Sequence, residues 1–328
     1  MMRVGVIGTM VWDRIFARDQ RREPVEEWGG ITYALAAATA AAEEDWEIVP
    51  IMKIGADLQH RAFSFLGTLP RLPRENGIQI VPEPNNRVEL RYQDRERRCE
   101  RLTGGVPPWR WEEIAPALRG LDALYINFIS GFEMDLETAR HLRIAFDGPI
   151  YADLHSLMLG VDADGMRVPR PLHEWREWIH CFDIVQVNEG ELGLLAHYWG
   201  DPWRFAAEVV GDELRLLLVT LGSRGAAYVA SPAYADNPLE WRHPGLHVHK
   251  SLSRPGATSS ELIAAPEAPP DGDPTGCGDV WGATCFCRLL AGDPLRVAMT
   301  KANQMAARNV QHRGATGLHN FLKGRLGV

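Results

Sequence analysis

The stretch "DGDPTGCGDVWGATCFCRLL" (residues 271 to 290) sets two glycines around a cysteine, places an acid directly behind them and then turns apolar. From Val280 onward the apolar residues recur at helical spacing, so a buried helix begins near Cys277. A helix N-terminus carries unpaired amides and the positive end of the helix dipole, which together form an anion site. Here those amides belong to Gly276, Cys277 and Gly278, and Asp279 stands in the first turn. As a mere helix-start acid, Asp279 would gain about 0.3–1 kcal/mol from the dipole. That accounts for an acid but not for three special backbone positions before it. A carboxylate beside an anion hole can take the proton of a hydroxyl as that hydroxyl attacks a phosphoryl group. Asp279 therefore reads as a candidate general base and residues 276 to 278 as the anion hole.

Outward from this stretch the chain alternates strands and helices. "RVGVIG" (3 to 8), "EIVPIMKIG" (47 to 55), "LDALYINFI" (121 to 129), "GPIYADL" (148 to 154), "FDIVQVN" (182 to 188) and "LRLLLVTLG" (214 to 222) read as buried strands. Between them lie helical patterns, beginning with the alanine-rich "GGITYALAAATAAAEED" (29 to 45). This rhythm predicts an α/β fold with a mostly parallel central sheet and helices on both faces. Residues 85 to 103 differ, alternating apolar and polar positions around a "QDRE" turn. They read as a flap outside the main sheet, joined by the polar stretch 14 to 28. Residues 231 to 272 offer at best short strands.

In an open α/β sheet, ligands bind beyond the carboxyl ends of the strands. Those ends carry Asp13 after the first strand, Asn127, Asp153 with His155, Asn188 with Glu191, and Thr220 with Gly222 and Gly225. A single polar strand end is as well explained by contact with water. Five on one edge point to a site.

The bulk properties narrow the function classes. The chain has 328 residues, is 45 % hydrophobic and carries a formal net charge of −8 without a long basic run. Tight binding to nucleic acid through phosphate neutralisation is not expected on that ground. No apolar run reaches the length of a membrane span. The five cysteines are scattered, with no C-x-x-C pair. They fit reduced thiols, so a cytoplasmic location is expected.

"DPTGCGDVWGA" resembles the C-terminal signature of the ribokinase-like carbohydrate kinases, the phosphofructokinase-B group, read as D-x-T-G-A-G-D, with Cys277 in place of the usual alanine. The similarity runs over essentially all of residues 1 to 328, as one ribokinase-like domain with a small β-lid from approximately 14–28 and 85–103. "GTMVWD" resembles the family's first strand, which implies that Asp13 reaches the substrate hydroxyls. The pair Gly29 and Gly30 matches the glycines that open the substrate-side helix, and Asn127 and Asp153 complete the implied substrate site. "NEGE" matches an N-x-x-E motif, which implies that Asn188 and Glu191 organise Mg²⁺ through water. "TLGSRG" resembles the nucleotide loop, with Thr220, Gly222 and Gly225. "KANQMAARNVQHRGA" resembles the late helix that places an asparagine, here Asn303, beside adenine. The resemblance thus implies transfer from ATP to a hydroxyl of a small sugar or polyol, with a homodimer formed through the lid in many members and a monovalent cation as a further cofactor to test.

The departures leave the acceptor open. Ala34 stands where many members carry a substrate-contacting asparagine, and His155 replaces the asparagine of a D-x-N pattern. His155 is open to a substrate contact or to ordinary hydrogen bonding. Cys277 reads as a small packing residue rather than a redox thiol. Trp12 and Trp28 flank the expected sugar site, where an aromatic ring could stack on substrate. A nucleoside or other small-alcohol kinase of the same fold is the nearest alternative, and a non-catalytic sugar-binding sensor the next. A dinucleotide oxidoreductase is weaker, because "GVIGTMVWD" lacks the G-x-G-x-x-G turn.

Overall fold

Neighbouring residues along the central strands bury on opposite sides, and that alternation builds two cores. Leu216 and Leu218 belong to one apolar cluster, whereas Leu217 and Val219 belong to the other. A sheet covered on both faces follows directly. The computed structural model describes residues 1–16, 23–73, 77–92, 98–212, 214–241, 257–269 and 272–324. Its strands are β1 (Arg3–Ile7), β2 (Met10–Phe16), β3 (Val25–Gly30), β4 (Glu47–Gly55), β5 (Ile78–Val81), β6 (Arg87–Tyr92), β7 (Arg98–Thr103), β8 (Ala123–Asn127), β9 (Ile150–Asp153), β10 (Leu159–Val161), β11 (Arg167–Pro169), β12 (Ile184–Asn188), β13 (Leu216–Thr220), β14 (Ala226–Ala230) and β15 (Ser259–Ile263).

The main sheet has nine strands in the order β15-β14-β13-β12-β9-β8-β1-β4-β5. From β5 to β13 every pairing is parallel, and β14 and β15 close the far edge antiparallel. The expected α/β architecture is therefore present. Its antiparallel edge uses part of the region where only short strands were expected.

On one face lie the helices Ile31–Ala41, Cys277–Leu290 and Leu295–Asn309. The first of these buries ten of its eleven residues, five of them alanine, so it can approach its neighbours closely. The helices Leu136–Ala145, Trp175–His180 and Glu189–Leu195 contribute to the opposite core.

The flap forms a separate four-stranded sheet, β3-β2-β6-β7. Its strands begin earlier and end later than the stretch 14 to 28 implied, and the "QDRE" turn at 93 to 96 lies outside the described residues. The hairpin β10–β11 was not anticipated. Its turn docks on β7, where the Leu102 amide donates to the Gly165 carbonyl at 2.8 Å and Arg101 Nε to the Asp164 carbonyl at 2.9 Å. Among the described residues no helix is long and apolar enough to cross a membrane.

Candidate active site

β1 and β8 are neighbours, yet the chain reaches β8 only after placing β4 and β5 on the other side of β1. That is a topological switch point, where a crevice opens beyond the strand ends. Asn127 is the last residue of β8 and Asp13 lies on β2, just beyond β1. The helix Cys277–Leu290 brings its N-terminus to the same place. There Asn127 Nδ2 donates to Asp279 Oδ1 at 2.7 Å.

The turn ahead of this helix is tightly specified. The amide and hydroxyl of Thr275 both donate to Asp273 Oδ1, at 2.9 and 2.6 Å. Gly276 sits at φ 74°, ψ 2°, the left-handed conformation that the third residue of a type II turn requires. The turn closes with the Cys277 amide donating to the Pro274 carbonyl at 3.1 Å. This corrects one expectation, because the Cys277 N–H is spent inside the turn. The amides of Gly276 and Gly278 donate to no protein acceptor among the described residues.

Gln186 on β12 supports this turn from below and was missed in the sequence. Its Nε2 donates to Asp153 Oδ2 at 2.9 Å and to the Gly278 carbonyl at 3.1 Å, while its Oε1 accepts from the Tyr151 hydroxyl at 2.5 Å. Asp153 thus lies beneath the helix start, 4 % exposed, and burial pushes its carboxyl well above the usual carboxylate range. Nearby Glu191 and Asp279 push the same way, against His155.

On the other wall, Asp13 is buried on β2. A Cβ on Gly29 would fall 1.8 Å from Asp13 Oδ2, so only glycine lets the strand pass this carboxylate. Gly30 takes φ 64° and caps the helix Ile31–Ala41. Ala34 is fully buried. Tyr33, also missed in the sequence, lays its ring on Gly276: a Cβ there would meet ring carbons at 2.3 Å.

The chain matches no protein-family model and no curated protein. Solved structures do resemble it. A pyrophosphate-dependent kinase in the ribokinase family, solved as a sulfate complex, is 18 % identical with a TM-score of 0.69, over 95 % of this chain and 96 % of its own. The nucleoside kinase of Burkholderia thailandensis in complex with inosine is 17 % identical with a TM-score of 0.68, over 96 % of this chain and 93 % of its own. Ribokinase from Thermotoga maritima is 17 % identical with a TM-score of 0.68, covering 99 % of each chain. The chain has the ribokinase fold.

Several expected site residues have other work within this ribokinase fold. Asn303 is 3 % exposed. Its Oδ1 accepts from Trp281 Nε1 at 2.7 Å, and its Nδ2 donates to the Ile263 and Ala264 carbonyls at 2.9 and 3.2 Å. The side chain ties its helix to the end of β15. Gly225, at φ 105°, is required where a Cβ would lie 2.1 Å from the Ile263 carbonyl oxygen. Gly222 is exposed, and Thr220 ends β13 in register with Asn188.

Asn188 and Glu191 form a helix capping box. Asn188 Oδ1 accepts from the Glu191 amide at 2.9 Å, and Glu191 Oε2 accepts from the Asn188 amide at 2.8 Å. Glu191 Oε1 also takes Asn188 Nδ2 at 2.6 Å and His155 Nδ1 at 2.7 Å. Burial alone would lower His155, but the Glu191 carboxylate overrides it and pushes the imidazole up to about 9. Glu191 is therefore neutralised by a cation of the chain itself, with three donors on its oxygens. Among the described residues no cluster of three or more His, Cys, Asp or Glu side chains is arranged to hold a metal.

Burial pushes the Cys277 thiol up to about 11, in line with a packing role. Trp12 and Trp28 pair edge-to-face across β2 and β3, ring centroids 5.0 Å apart. Asp13 is the next residue on β2 and so points to the other face, which removes the indoles from its side of the sheet.

Proposed function

We propose that this chain is a kinase that moves a phosphoryl group from ATP to a hydroxyl of a small sugar or polyol. The observation that carries the reading is the position of Asp279. It stands in the first turn of a helix whose Gly276 and Gly278 amides meet no protein acceptor among the described residues, and Asn127 orients it from the switch point of the sheet.

In the proposed reaction Asp279 accepts the proton of the attacking hydroxyl while its oxygen bonds to the γ-phosphorus. The bond from that phosphorus to the bridging oxygen breaks, and the electron pair leaves with ADP. The amides of Gly276 and Gly278 and the positive helix end hold the charge on the moving group. Asn127 fixes which carboxylate oxygen faces the acceptor. Asp13 accepts hydrogen bonds from the acceptor's other hydroxyls, close to the chain at Gly29. Magnesium enters as part of the donor salt, and no residue is assigned to it.

One observation favours a second reading of the donor. The asparagine expected beside adenine is locked inside the protein, so a donor without a base, such as pyrophosphate, loses nothing by lacking one. A pyrophosphate-dependent kinase stands among the similar structures.

The deciding experiment supplies ATP or pyrophosphate with a panel of sugars, polyols and nucleosides and follows phosphorylated product. Transfer to a sugar or polyol is expected. Turnover with nucleosides alone would replace the acceptor class, and tight binding of an acceptor without any transfer would make the chain a sensor.

A further inference from the structure

Resting on that reading, we propose that Tyr33 is the residue that sets acceptor specificity: its hydroxyl donates to an acceptor oxygen between Asp13 and Asp279 and selects an uncharged or cationic hydroxyl-rich molecule.

The geometry begins with the start of the helix Ile31–Ala41. Ile31 is apolar, Thr32 donates its hydroxyl to the Gly29 carbonyl at 3.0 Å, and Ala34 has no polar atom. Tyr33 is the polar group this turn has left to offer. Its ring covers Gly276, the residue whose amide lines the proposed anion hole, so the phenol is held by the same turn that receives the phosphoryl group.

Tyr33 is only 2 % exposed, and its hydroxyl makes no hydrogen bond among the described residues. A phenol placed this way costs free energy until an acceptor atom arrives.

The surroundings define that atom's owner. Burial first, then the carboxylates of Asp13, Asp273, Asp279 and Glu27, hold the phenol far above its ordinary range, so it stays a donor at any working pH. The charges that raise it are all carboxylates. Carboxylates only accept, so a molecule entering here must bring its own O–H or N–H donors, and it meets one neutral donor in return. A sugar phosphate or sugar acid would place its charge against like charges.

The test uses Tyr33→Phe, which keeps the ring on Gly276. Acceptor KM and kcat are measured with the best acceptor of the panel, donor KM alongside, and the melting temperature as a structural control. Loss of one hydrogen bond should raise acceptor KM roughly tenfold, leaving donor KM in place and the melting temperature no lower than the parent's. The intact chain should prefer ribose or myo-inositol over ribose 5-phosphate by more than about tenfold in kcat/KM. An unchanged acceptor KM, a change confined to melting temperature, or a preference for the phosphorylated sugar overturns the assignment while the kinase reading stands. If no donor supports transfer but calorimetry shows myo-inositol or ribose binding that Tyr33→Phe weakens, the kinase reading falls and the Tyr33 assignment survives. No transfer and no binding of any panel member overturns both.

Discussion

Asn127, at the end of β8, reaches across 152 residues of sequence to donate a 2.7 Å hydrogen bond to Asp279. This contact joins the sheet edge to the helix start and leaves one carboxylate oxygen set by the protein. Asp279→Asn should lower turnover by about 100-fold or more, the usual worth of a general base, with little change in donor binding. Asn127→Ala should cost less, about tenfold in kcat, because the base remains but loses its orientation. Steady-state kinetics on both variants check this. Equal turnover in Asp279→Asn and the parent removes the carboxylate from the mechanism.

The ion pair between His155 and Glu191 should make stability depend on pH over a defined window. The imidazole sits at about 9 in the fold against an ordinary 6.5, so folding favours its protonated form. The stabilisation is complete below about pH 6.5 and drains away as pH rises through 9. Melting temperatures of the parent and His155→Leu should differ most at pH 6 and converge by pH 10. A difference that grows with pH would reverse the sign and disprove the pairing.

These residues also mark what the sequence could disclose. The apolar runs of β12 and β13 were legible because a strand buried on both faces needs no partner information to be seen. The glycine turn before Asp279 was legible for the same local reason. The capping box was equally visible, since N-x-x-E is its spacing. Asn303 could not be read this way. Its partners lie on Trp281 and at the end of β15, 40 residues away, and only the folded chain brings them together. Gln186 and Tyr33 were hidden likewise, one inside a strand and one inside an alanine-rich helix. The hairpin β10–β11 has strands of three residues, too short to show an alternating pattern.

Gly282 tests how closely the helix Cys277–Leu290 approaches the sheet. A Cβ there would lie 2.2 Å from Gln186 Oε1 and 2.6 Å from the Tyr125 hydroxyl. Gly282→Ala should therefore destabilise the fold by ~1–3 kcal/mol through overpacking, although alanine is the better helix former. It should also disturb catalysis, because Gln186 carries the Gly278 carbonyl. Chemical denaturation gives the first effect and kcat the second. A stabilised variant would mean that helix propensity outweighs the contact.

Asn303 separates a structural asparagine from a nucleotide contact. Its side chain makes one buried hydrogen bond to Trp281, a second buried one to the Ile263 carbonyl and a part-buried one to the Ala264 carbonyl. Asn303→Ala leaves the Trp281 N–H and two carbonyls without partners, and each such loss costs about 1–3 kcal/mol where water cannot enter. The variant should therefore unfold at distinctly lower denaturant concentration than the parent. Wherever it remains folded, the KM ratio between ATP and pyrophosphate should stay as in the parent, because the lost groups faced the protein and not the donor. A selective rise in KM for ATP, with stability preserved, would return this asparagine to the adenine site.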